Sequence, residues 1–478
     1  MTARPTANTT AGSARSAVSR DLLAVLIPAH NEAAAIGGTL DALAQQTAAP
    51  SRVIVVADNC DDATASVAAA HGAEVFRTSG NTHRKAGALN QALRALAANA
   101  PEFVLVVDAD TRLSSRFVET ALDNAIGDTT LGAVSGLFIG ERPQRMLQQF
   151  QANEYERYRT KIATTGRVSV VTGTASLFRL TALQDVASSR GSALPGHLGD
   201  VYDRDAITED SELTLALKTR GWHMVAPAEC LCVTELMPTW GDLHRQRVRW
   251  YKGMLDNLRA YRVTPVTLRY IGQQLMIGIG ILTIIALLVL TGLSVTAGAF
   301  AIRPFWLALG IVFLVERVVT VWQIGPSGRL VAALFLPEIG YDMALQAAFI
   351  HAWFLALLRR DTAWNHVAAA PGQGQREEEA LPPTVPIPVP ATTQEGVIHV
   401  PTADRVARRA GDDRRRAGAE LGRSVDALRG WTGDAHDRAR AAQAPRTRPG
   451  AGHTADGRPR ERALPCLDGW TGPVLIPD

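Results

Sequence analysis

Three short apolar segments recur in the first quarter of the chain. LLAVLI (22–27), RVIVVAD (52–58) and FVLVVDAD (103–110) are continuous and rich in aliphatic residues, which is typical of strands buried on both faces of a sheet. The first of them is too short for the apolar region of a signal peptide and ends at Pro28. It therefore predicts a first β-strand, and we expect the part that follows to lie in the cytosol.

The segments between these strands predict helices. Residues 32–46, 62–72 and 85–100 are rich in alanine and other good helix formers, with apolar positions three and four apart. Alternating strands and helices predict an α/β fold with a parallel, doubly wound sheet from Leu22 to about Gly136, whose ligands bind beyond the carboxyl ends of the strands. From 141 to 262 the pattern is less regular and predicts one further helix near 211–220.

A long uncharged stretch follows this domain. No charged residue occurs between Tyr270 and Ile302, which exceeds the roughly 20 apolar residues that cross a bilayer. A buried helix of a soluble core is the alternative, and we favour a transmembrane helix. Shorter apolar stretches follow at 304–315, 318–324, 330–336 and 343–358.

Arginines flank the apolar region on both sides, at 259, 262 and 269 and again at 359 and 360. Positive residues favour the cytosolic side of a membrane. We therefore expect an even number of crossings, with one segment flat or re-entrant, in a multi-pass protein of the cell inner (plasma) membrane. Glu316 and Arg317 interrupt an apolar stretch, as an ion pair or, as we favour, in a loop at the membrane surface.

Composition separates the two termini from the rest. Residues 1–21 are small and polar, and residues 365–478 are rich in proline, alanine and arginine, which predicts disorder. We thus expect an α/β domain over 22–262 and transmembrane or interfacial helices over 263–364. The net charge of only +3 argues against nucleic acid as a partner, and four cysteines in 478 residues do not form a disulfide framework.

The third apolar segment ends in two carboxylates, Asp108 and Asp110. Alternate residues of an extended chain point the same way, so the two would repel each other unless a cation lies between them. Carboxylate oxygens suit Mg²⁺ or Mn²⁺. A solvated loop after a strand is the alternative reading of so short a pattern.

Further polar motifs strengthen the metal reading. The first two strands end in PAHNE (28–32) and ADNCDD (57–62), and HRKAGALN (83–90) places Arg84 and Lys85 at a helix start, where anions bind. ITEDSEL (207–213) places carboxylates at another helix start, where capping is the structural alternative. RQRVRWYKG (245–253) concentrates cations and aromatics before the apolar region.

In this order, these motifs resemble the family 2 glycosyltransferases. The resemblance covers about residues 22–364 and is to the membrane-embedded branch that contains cellulose, hyaluronan and poly-N-acetylglucosamine synthases. It implies the GT-A fold, a doubly wound, Rossmann-like nucleotide-sugar domain, followed by transmembrane helices. ADNCDD departs from the more usual DDGS/T stretch of the family.

The resemblance also implies a role for each motif residue. Ala29, Glu32 and Asp58 would line the nucleoside pocket, with Asp58 holding uracil. Lys85 would lie near the diphosphate, Asp108 near the donor ribose and sugar, and Asp110 on the metal, with Asp108 beside it as a second ligand. Asp210 would be the general base, with Glu209 beside it in the catalytic motif. The acceptor and diphosphate side would comprise Thr172, Gly173, Thr174, Gln246, Arg247, Arg249 and Trp250.

The implied activity is an inverting, metal-dependent hexosyl transfer. A nucleotide sugar, UDP-linked by the resemblance, would donate to a glycan, lipid-linked or protein acceptor at the cytosolic face of a lipid bilayer. Two alternatives remain open: a processive polysaccharide synthase that also translocates its polymer, and an inactive membrane scaffold. The sequence contains no obvious gating segment, which weighs against continuous polymer export.

Overall fold

The computed structural model describes residues 22–360. The strands are β1 (Leu23–Ala29), β2 (Arg52–Ala57), β3 (Glu74–Arg77), β4 (Phe103–Val107), β5 (Arg112–Leu113), β6 (Leu131–Ser135), β7 (Leu137–Gly140), β8 (Ala175–Arg179), β9 (His223–Val225) and β10 (Leu231–Thr234). The helices are α1 (Ile36–Ala44), α2 (Thr64–Ala70), α3 (Arg84–Leu96), α4 (Phe117–Gly127), α5 (Met146–Thr165), α6 (Leu180–Ser189), α7 (Glu209–Thr219), α8 (Trp240–Tyr261), α9 (Pro265–Thr296), α10 (Pro304–Thr320), α11 (Pro326–Ala333) and α12 (Phe335–Leu357).

The central sheet has seven strands in the order β3-β2-β1-β4-β8-β6-β9. The three strands expected from the apolar segments are present as β1, β2 and β4, and they pair in parallel, with Ala24 opposite both Arg52 and Val104. The parallel pairing predicted for residues 22–136 is present in β1 to β4, but the sheet as a whole is mixed, because β8, from outside that range, runs antiparallel to both β4 and β6. An apolar run predicts a buried strand but does not encode the strand's direction.

A second sheet consists of three short strands in the order β5-β10-β7. β5 follows the Asp108–Asp110 turn directly, and β10 pairs with it through Cys232 and Leu113. This sheet brings the segment after β10 to the carboxyl edge of the central sheet.

The strands of the central sheet are covered on both faces. Leu23, Val25 and Ile27 of β1 belong to one apolar cluster, whereas Ala24 and Leu26 belong to another. Alternate residues of a strand point to opposite faces, so two layers of helices bury the sheet from both sides. This confirms the burial pattern that the continuous apolar segments predict.

The region 141–262 is more helical than its sequence predicts. The expected helix near 211–220 is α7, but α5 and α8, of 20 and 22 residues, were not predicted. α5 lacks an apolar stripe because it buries polar side chains as well, Gln151 and Glu154 among them. A period of 3.6 in hydrophobicity cannot reveal a helix whose buried face is polar.

Helices α9 to α12 follow the α/β domain. Within residues 22–360, α9 is the one helix that is both long and apolar enough to cross a membrane. Helix α11 and Leu336–Leu357 are bent by 81° relative to each other, and the two together would form a second span if they are counted as one broken helix. Large side chains of α9, such as Leu282 and Leu290, are more than 60 % exposed. The alternative of a helix buried in a soluble core is therefore wrong for α9.

Glu316 and Arg317 lie within α10 and not in a loop, which corrects the reading that we favoured. Arg317 pairs with Glu338 and Asp342 of α12. Arg157 of α5 reaches Glu338 from the other side, at 3.3 Å. Arg317 of this apolar region is therefore paired with α12, and Glu338 connects these helices to the α/β domain through Arg157.

Candidate active site

A cavity of about 610 Å³ opens at the carboxyl ends of β1, β2 and β4. All but one of the residues singled out by the sequence line it: Ala29, Glu32, Asp58, Lys85, Asp108, Asp110, Thr172, Gly173, Thr174, Glu209, Asp210, Gln246, Arg249 and Trp250. Residues from seven separate segments thus meet at one edge of the sheet, where α/β folds place their ligands.

Arg247 is the exception, and its expected place on the acceptor side of the cavity is wrong. Its side chain is 1 % exposed and pairs with Glu154 at 2.8 Å. Residues three and four apart share one face of a helix, so Gln246, Arg249 and Trp250 face the cavity together. Arg247 projects from the adjacent face of α8, into the packing against α5.

Asp58 is held at the end of β2 by three donors to one oxygen. Its Oδ1 accepts hydrogen bonds from Thr78 Oγ1 at 2.6 Å, Asn81 Nδ2 at 2.8 Å and Asn59 Nδ2 at 3.3 Å. Asn59 adopts the left-handed region with a φ of 49°, a conformation that asparagine tolerates better than most residues. The Asp58 carboxylate is therefore fixed in orientation before any ligand binds.

Lys85 joins three parts of the cavity from the first turn of α3. Its Nζ donates to Asp108 Oδ1 at 2.6 Å and to the Gly173 carbonyl at 3.2 Å, and it lies 3.2 Å from Glu209 Oε1. Burial lowers the pKa of Lys85, but the two carboxylates raise it by more, so its pKa lies well above the usual value. The ammonium group therefore remains charged at all physiological pH values.

Carboxylates crowd the opposite wall of the cavity. Burial and the neighbouring charges of Asp110, Glu235 and Asp108 raise the pKa of Glu32 to about 8. Burial, Asp108 and Glu235 raise the pKa of Asp110 to about 7. A bound cation would relieve this repulsion, and an all-oxygen set of ligands suits Mg²⁺ or Mn²⁺.

The protein alone does not complete a metal site. Within residues 22–360, no three His, Cys, Asp or Glu side chains are grouped closely enough to hold a metal ion. Mg²⁺ commonly binds through one or two carboxylates, with phosphate oxygens and waters in the other positions. The residues present therefore fit a metal that arrives with a phosphorylated ligand.

Two adjacent carboxylates at the start of α7 have different electrostatics. Burial raises the pKa of Glu209, but Lys85 opposes it, and the net pKa lies below the usual value. Burial and the charge of Glu209 raise the pKa of Asp210 to about 6. The capping alternative does not hold for either residue, because the N-cap of α7 is Thr208.

Gly173 is packed directly against Asp210. A Cβ atom at position 173 would lie 3.2 Å from Asp210 Oδ2, which is tighter than ordinary van der Waals contact. Glycine is therefore the residue that lets the Thr172–Thr174 segment approach this carboxylate. Asp210 Oδ1 accepts a hydrogen bond from the Ser211 backbone at 2.7 Å, which orients the carboxylate.

The structure adds residues to the cavity that the sequence did not reveal. Glu235 lies just after β10, and Phe138, Tyr155 and Tyr158 form an aromatic wall near Trp250. The rings of Phe138 and Tyr155 meet edge to face at 4.8 Å. In the sequence, Glu235 could have been recognised only as a carboxylate that follows a short strand. Nothing in the sequence around the three aromatic residues indicates that they line a cavity.

Comparison with known families gives one match to the α/β part of the chain. The model of a family described as glycosyltransferase-like family 2 matches residues 20–253.

Curated relatives match the same part. The poly-beta-1,6-N-acetyl-D-glucosamine synthase of Staphylococcus aureus (strain COL) is 27 % identical over 235 residues, which cover 48 % of this chain and 53 % of the relative. The enzyme of that name from Staphylococcus epidermidis is 24 % identical over 239 residues, covering 48 % and 54 %. The chain spans about half the length of the curated relatives it matches.

The solved structures that match this chain have lower sequence identity. A mannosyltransferase from Pyrobaculum calidifontis, in complex with GDP-Man and Mn²⁺, is 20 % identical with a TM-score of 0.45, covering 71 % of this chain and 88 % of the other. Residues 1–349 of S. aureus TarS, in complex with UDP-GlcNAc, are 16 % identical with a TM-score of 0.34, covering 51 % and 68 %.

Proposed function

We propose, from the premise that residues 20–253 belong to the family 2 glycosyltransferases, that this enzyme moves a sugar from a UDP-sugar to an acceptor hydroxyl with inversion. One observation carries the proposal. Asp210, with a pKa of about 6, lies in the same cavity as the charged Lys85 and the carboxylates at the end of β4. A base for the acceptor and charges for the departing nucleotide thus occupy one site.

The nucleotide would bind along the ends of β1 and β2. Asp58 is oriented by its three donors and would accept a hydrogen bond from the N–H of a uracil ring, while Ala29 and Glu32 would line the same pocket. Lys85 and Arg249 supply positive charge that can stabilise a diphosphate leaving group. Groups fixed in place before the reaction stabilise developing charge most effectively.

Asp110, with Asp108 beside it, would hold Mg²⁺ or Mn²⁺. Bound there, the cation supplies electrostatic stabilisation of the departing diphosphate. The ammonium of Lys85 donates a hydrogen bond to Asp108 Oδ1 and compensates the charge of that carboxylate.

Asp210 would take the proton of the acceptor hydroxyl. A positioned base of this kind contributes about 10²–10⁴-fold to the rate, and its raised pKa suits proton transfer near neutral pH. Glu209 is the weaker base because Lys85 stabilises its ionised form. A single displacement by the acceptor inverts the anomeric carbon, so an α-linked donor would give a β-glycoside. Trp250 and the segment 172–174 would border the acceptor.

We place the reaction at the cytosolic face of a lipid bilayer. Helix α9 has the length and composition to cross it, and its exposed leucines would contact lipid. Arg259 and Arg262 precede this helix, Arg269 lies near its start, and the three favour a cytosolic position for the catalytic domain. The acceptor would then be a glycan, a lipid-linked sugar or a protein that reaches this face.

A processive polysaccharide synthase is the second candidate, and the identity to poly-beta-1,6-N-acetyl-D-glucosamine synthases favours it. The inactive scaffold is the weakest reading, because the proposed base, the carboxylates Asp108 and Asp110, and the side chains of Gln246, Arg249 and Trp250 meet in one cavity.

The test is an assay of the full-length protein in detergent against a panel of nucleotide sugars with Mg²⁺ or Mn²⁺. We expect release of UDP from one UDP-sugar together with a glycoside product, and release about 10²–10⁴-fold slower by Asp210→Asn. Product length on a gel separates one or a few additions from polymerisation. Transfer from no nucleotide sugar of the panel, by protein that is folded and metal-loaded, would refute the proposal.

A further inference from the structure

Arg247 contacts two residues of the cavity wall from behind. Its Nη1 donates a hydrogen bond to Gln246 Oε1 at 3.1 Å, and its guanidinium carbon lies 4.3 Å from the centroid of the Trp250 ring. Both Gln246 and Trp250 line the cavity, whereas Arg247 does not. The guanidinium therefore limits where these two side chains can lie.

The position of Arg247 is in turn set from another helix of the same domain. Its Nη2 donates to Glu154 Oε2 at 2.8 Å, and both side chains are almost fully buried. A buried charge of this kind tolerates little movement, because separation from its partner would leave both uncompensated. Glu154 thus fixes the guanidinium on the side away from the cavity.

Glu154 is itself bound by a residue from the helices after the catalytic domain. The Tyr341 hydroxyl of α12 donates to Glu154 Oε2, the oxygen that also accepts from Arg247. The ring of Tyr341 stacks on Phe150 of α5 at 5.2 Å. α12 also packs along α8 through Tyr251 and Phe349, whose rings meet edge to face at 5.3 Å.

We propose that Arg247 is a positioning residue for the acceptor side of the cavity, and that Tyr341 and Glu154 transmit the position of α12 through it to Gln246 and Trp250. The positioning role of Arg247 does not depend on the proposed function; only its expected effect on sugar transfer rests on that function. A shift of α12, by lipid or by a partner, would then change acceptor binding before it changes nucleotide binding, since the nucleotide pocket lies on β1 and β2.

The structure offers a conservative variant and a matched control. Tyr341→Phe removes the hydroxyl that binds Glu154 and keeps the ring on Phe150. Tyr270→Phe removes another buried hydroxyl, which joins α9 to Ser169 and Lys218 of the catalytic domain; Tyr270 is not among the residues that line the cavity. Arg247→Lys keeps the charge but replaces the planar fork by a single ammonium.

The first readout needs no substrate. The fluorescence of Trp250 is obtained by subtracting the fluorescence of the same full-length variant that also carries Trp250→Phe, and its quenching by acrylamide is then measured. We expect quenching of Trp250 to rise in Tyr341→Phe and in Arg247→Lys and to stay unchanged in Tyr270→Phe. Unchanged quenching in the first two variants, or an equal rise in all three, would overturn the positioning role.

The second readout separates acceptor from donor. With the UDP-sugar and acceptor found active in the panel, Tyr341→Phe should raise the acceptor KM about 2- to 10-fold, the range expected for one hydrogen bond, and leave the Kd of UDP unchanged. An equal rise in the acceptor KM and in the Kd of UDP would show a general structural effect and overturn the proposal. If no nucleotide sugar is used at all, the proposed function fails, while the Trp250 measurement still decides the positioning role.

Discussion

Lys85 and Asp108 form an ion pair of 2.6 Å between the first turn of α3 and the end of β4. The same ammonium lies 3.2 Å from Glu209, so one cation neutralises carboxylates from two separate segments. Removing it leaves these charges facing each other in a buried site, where repulsion is weakly screened. The pair thus links the proposed donor side of the cavity to its proposed catalytic side.

Lys85→Ala should therefore impair both binding and transfer. We expect a loss in kcat/KM for the nucleotide sugar of about 10²-fold or more, as for other removed electrostatic stabilisers, and weaker binding of UDP. Lys161→Ala, at an exposed position of α5 outside the cavity, is the matched control and should behave like the wild type. Near-normal UDP binding in Lys85→Ala would show that the ammonium does not contact the diphosphate.

Asp210→Asn and Asp110→Asn should have different consequences. The first should lower kcat about 10²–10⁴-fold and leave UDP binding nearly intact, because a base acts on the acceptor. The second should weaken binding of UDP in the presence of Mn²⁺. Calorimetry with UDP and Mn²⁺, set beside initial rates, distinguishes the two. Equal loss of nucleotide affinity in both variants would mean that these roles are misassigned.

Transfer should stop when divalent metal is removed. The carboxyls of Asp108 and Asp110 raise the pKa of Glu32, so acidic groups cluster where a diphosphate would lie, and a divalent cation would compensate both. Dialysis against EDTA should abolish product formation, and added Mg²⁺ or Mn²⁺ should restore it. Full turnover in excess chelator, with metal content verified by elemental analysis, would rule out the metal site.

The rate should also depend on pH through Asp210. Burial and Glu209 raise its pKa to about 6, and only the ionised carboxylate can accept a proton. As the pH falls through about 6 the base becomes protonated, so kcat should decline below that value and level off above it. The measurement is kcat at saturating donor, acceptor and metal over a pH series. The residual rate of Asp210→Asn should lack this inflection.

The catalytic domain should not be fully active without the helices that follow it. A fragment of residues 22–262 lacks Glu338 and Tyr341, which leaves Arg157 and Glu154 without these partners. Breaking one buried pair destabilises a protein by about 3–5 kcal/mol. We expect the fragment to be poorly soluble or weakly active, as judged by thermal unfolding and transfer assays.

A chain that ends at Gln373 is the control for this truncation. It retains every motif and all of α9 to α12, so it should insert into membranes and keep its activity. A 22–262 fragment with full activity toward the native acceptor would contradict the prediction and reduce the helices to a tether. The expected disorder at 1–21 and 365–478 lies outside the described residues.

The parts of the fold that could be predicted are those whose burial is apolar. β1, β2 and β4 are continuous aliphatic segments, so their sequence carries the pattern of burial directly. α5 could not be predicted in the same way, because Gln151 and Glu154 are buried through hydrogen bonds and an ion pair that depend on partners far away in the chain. Polar contacts with distant partners produce no periodic pattern of apolar residues in the local sequence.

The candidate site shows the same division. Asp108, Asp110 and Asp210 could be predicted because each lies in a compact motif. Asp108 and Asp110 directly follow a strand, and Asp210 lies in the first turn of a helix. Arg247 was misplaced because a motif gives spacing along the chain and not the direction of each side chain. Glu235 could not be recognised, since only the pairing of β10 with β5 and β7 carries it to this edge.

The reversed direction of β8 has a mechanical consequence for the proposed reaction. Val107 lies opposite Ala175, and the Asp108 backbone N–H donates to the Thr174 carbonyl at 2.8 Å. The residue after the end of β4 and the residue before the start of β8 are thus joined by a backbone hydrogen bond, which does not involve the side chain of either residue. The distance between the segment that would hold the nucleotide and the segment that would face the acceptor is therefore set by strand register, and neither can shift without carrying the other.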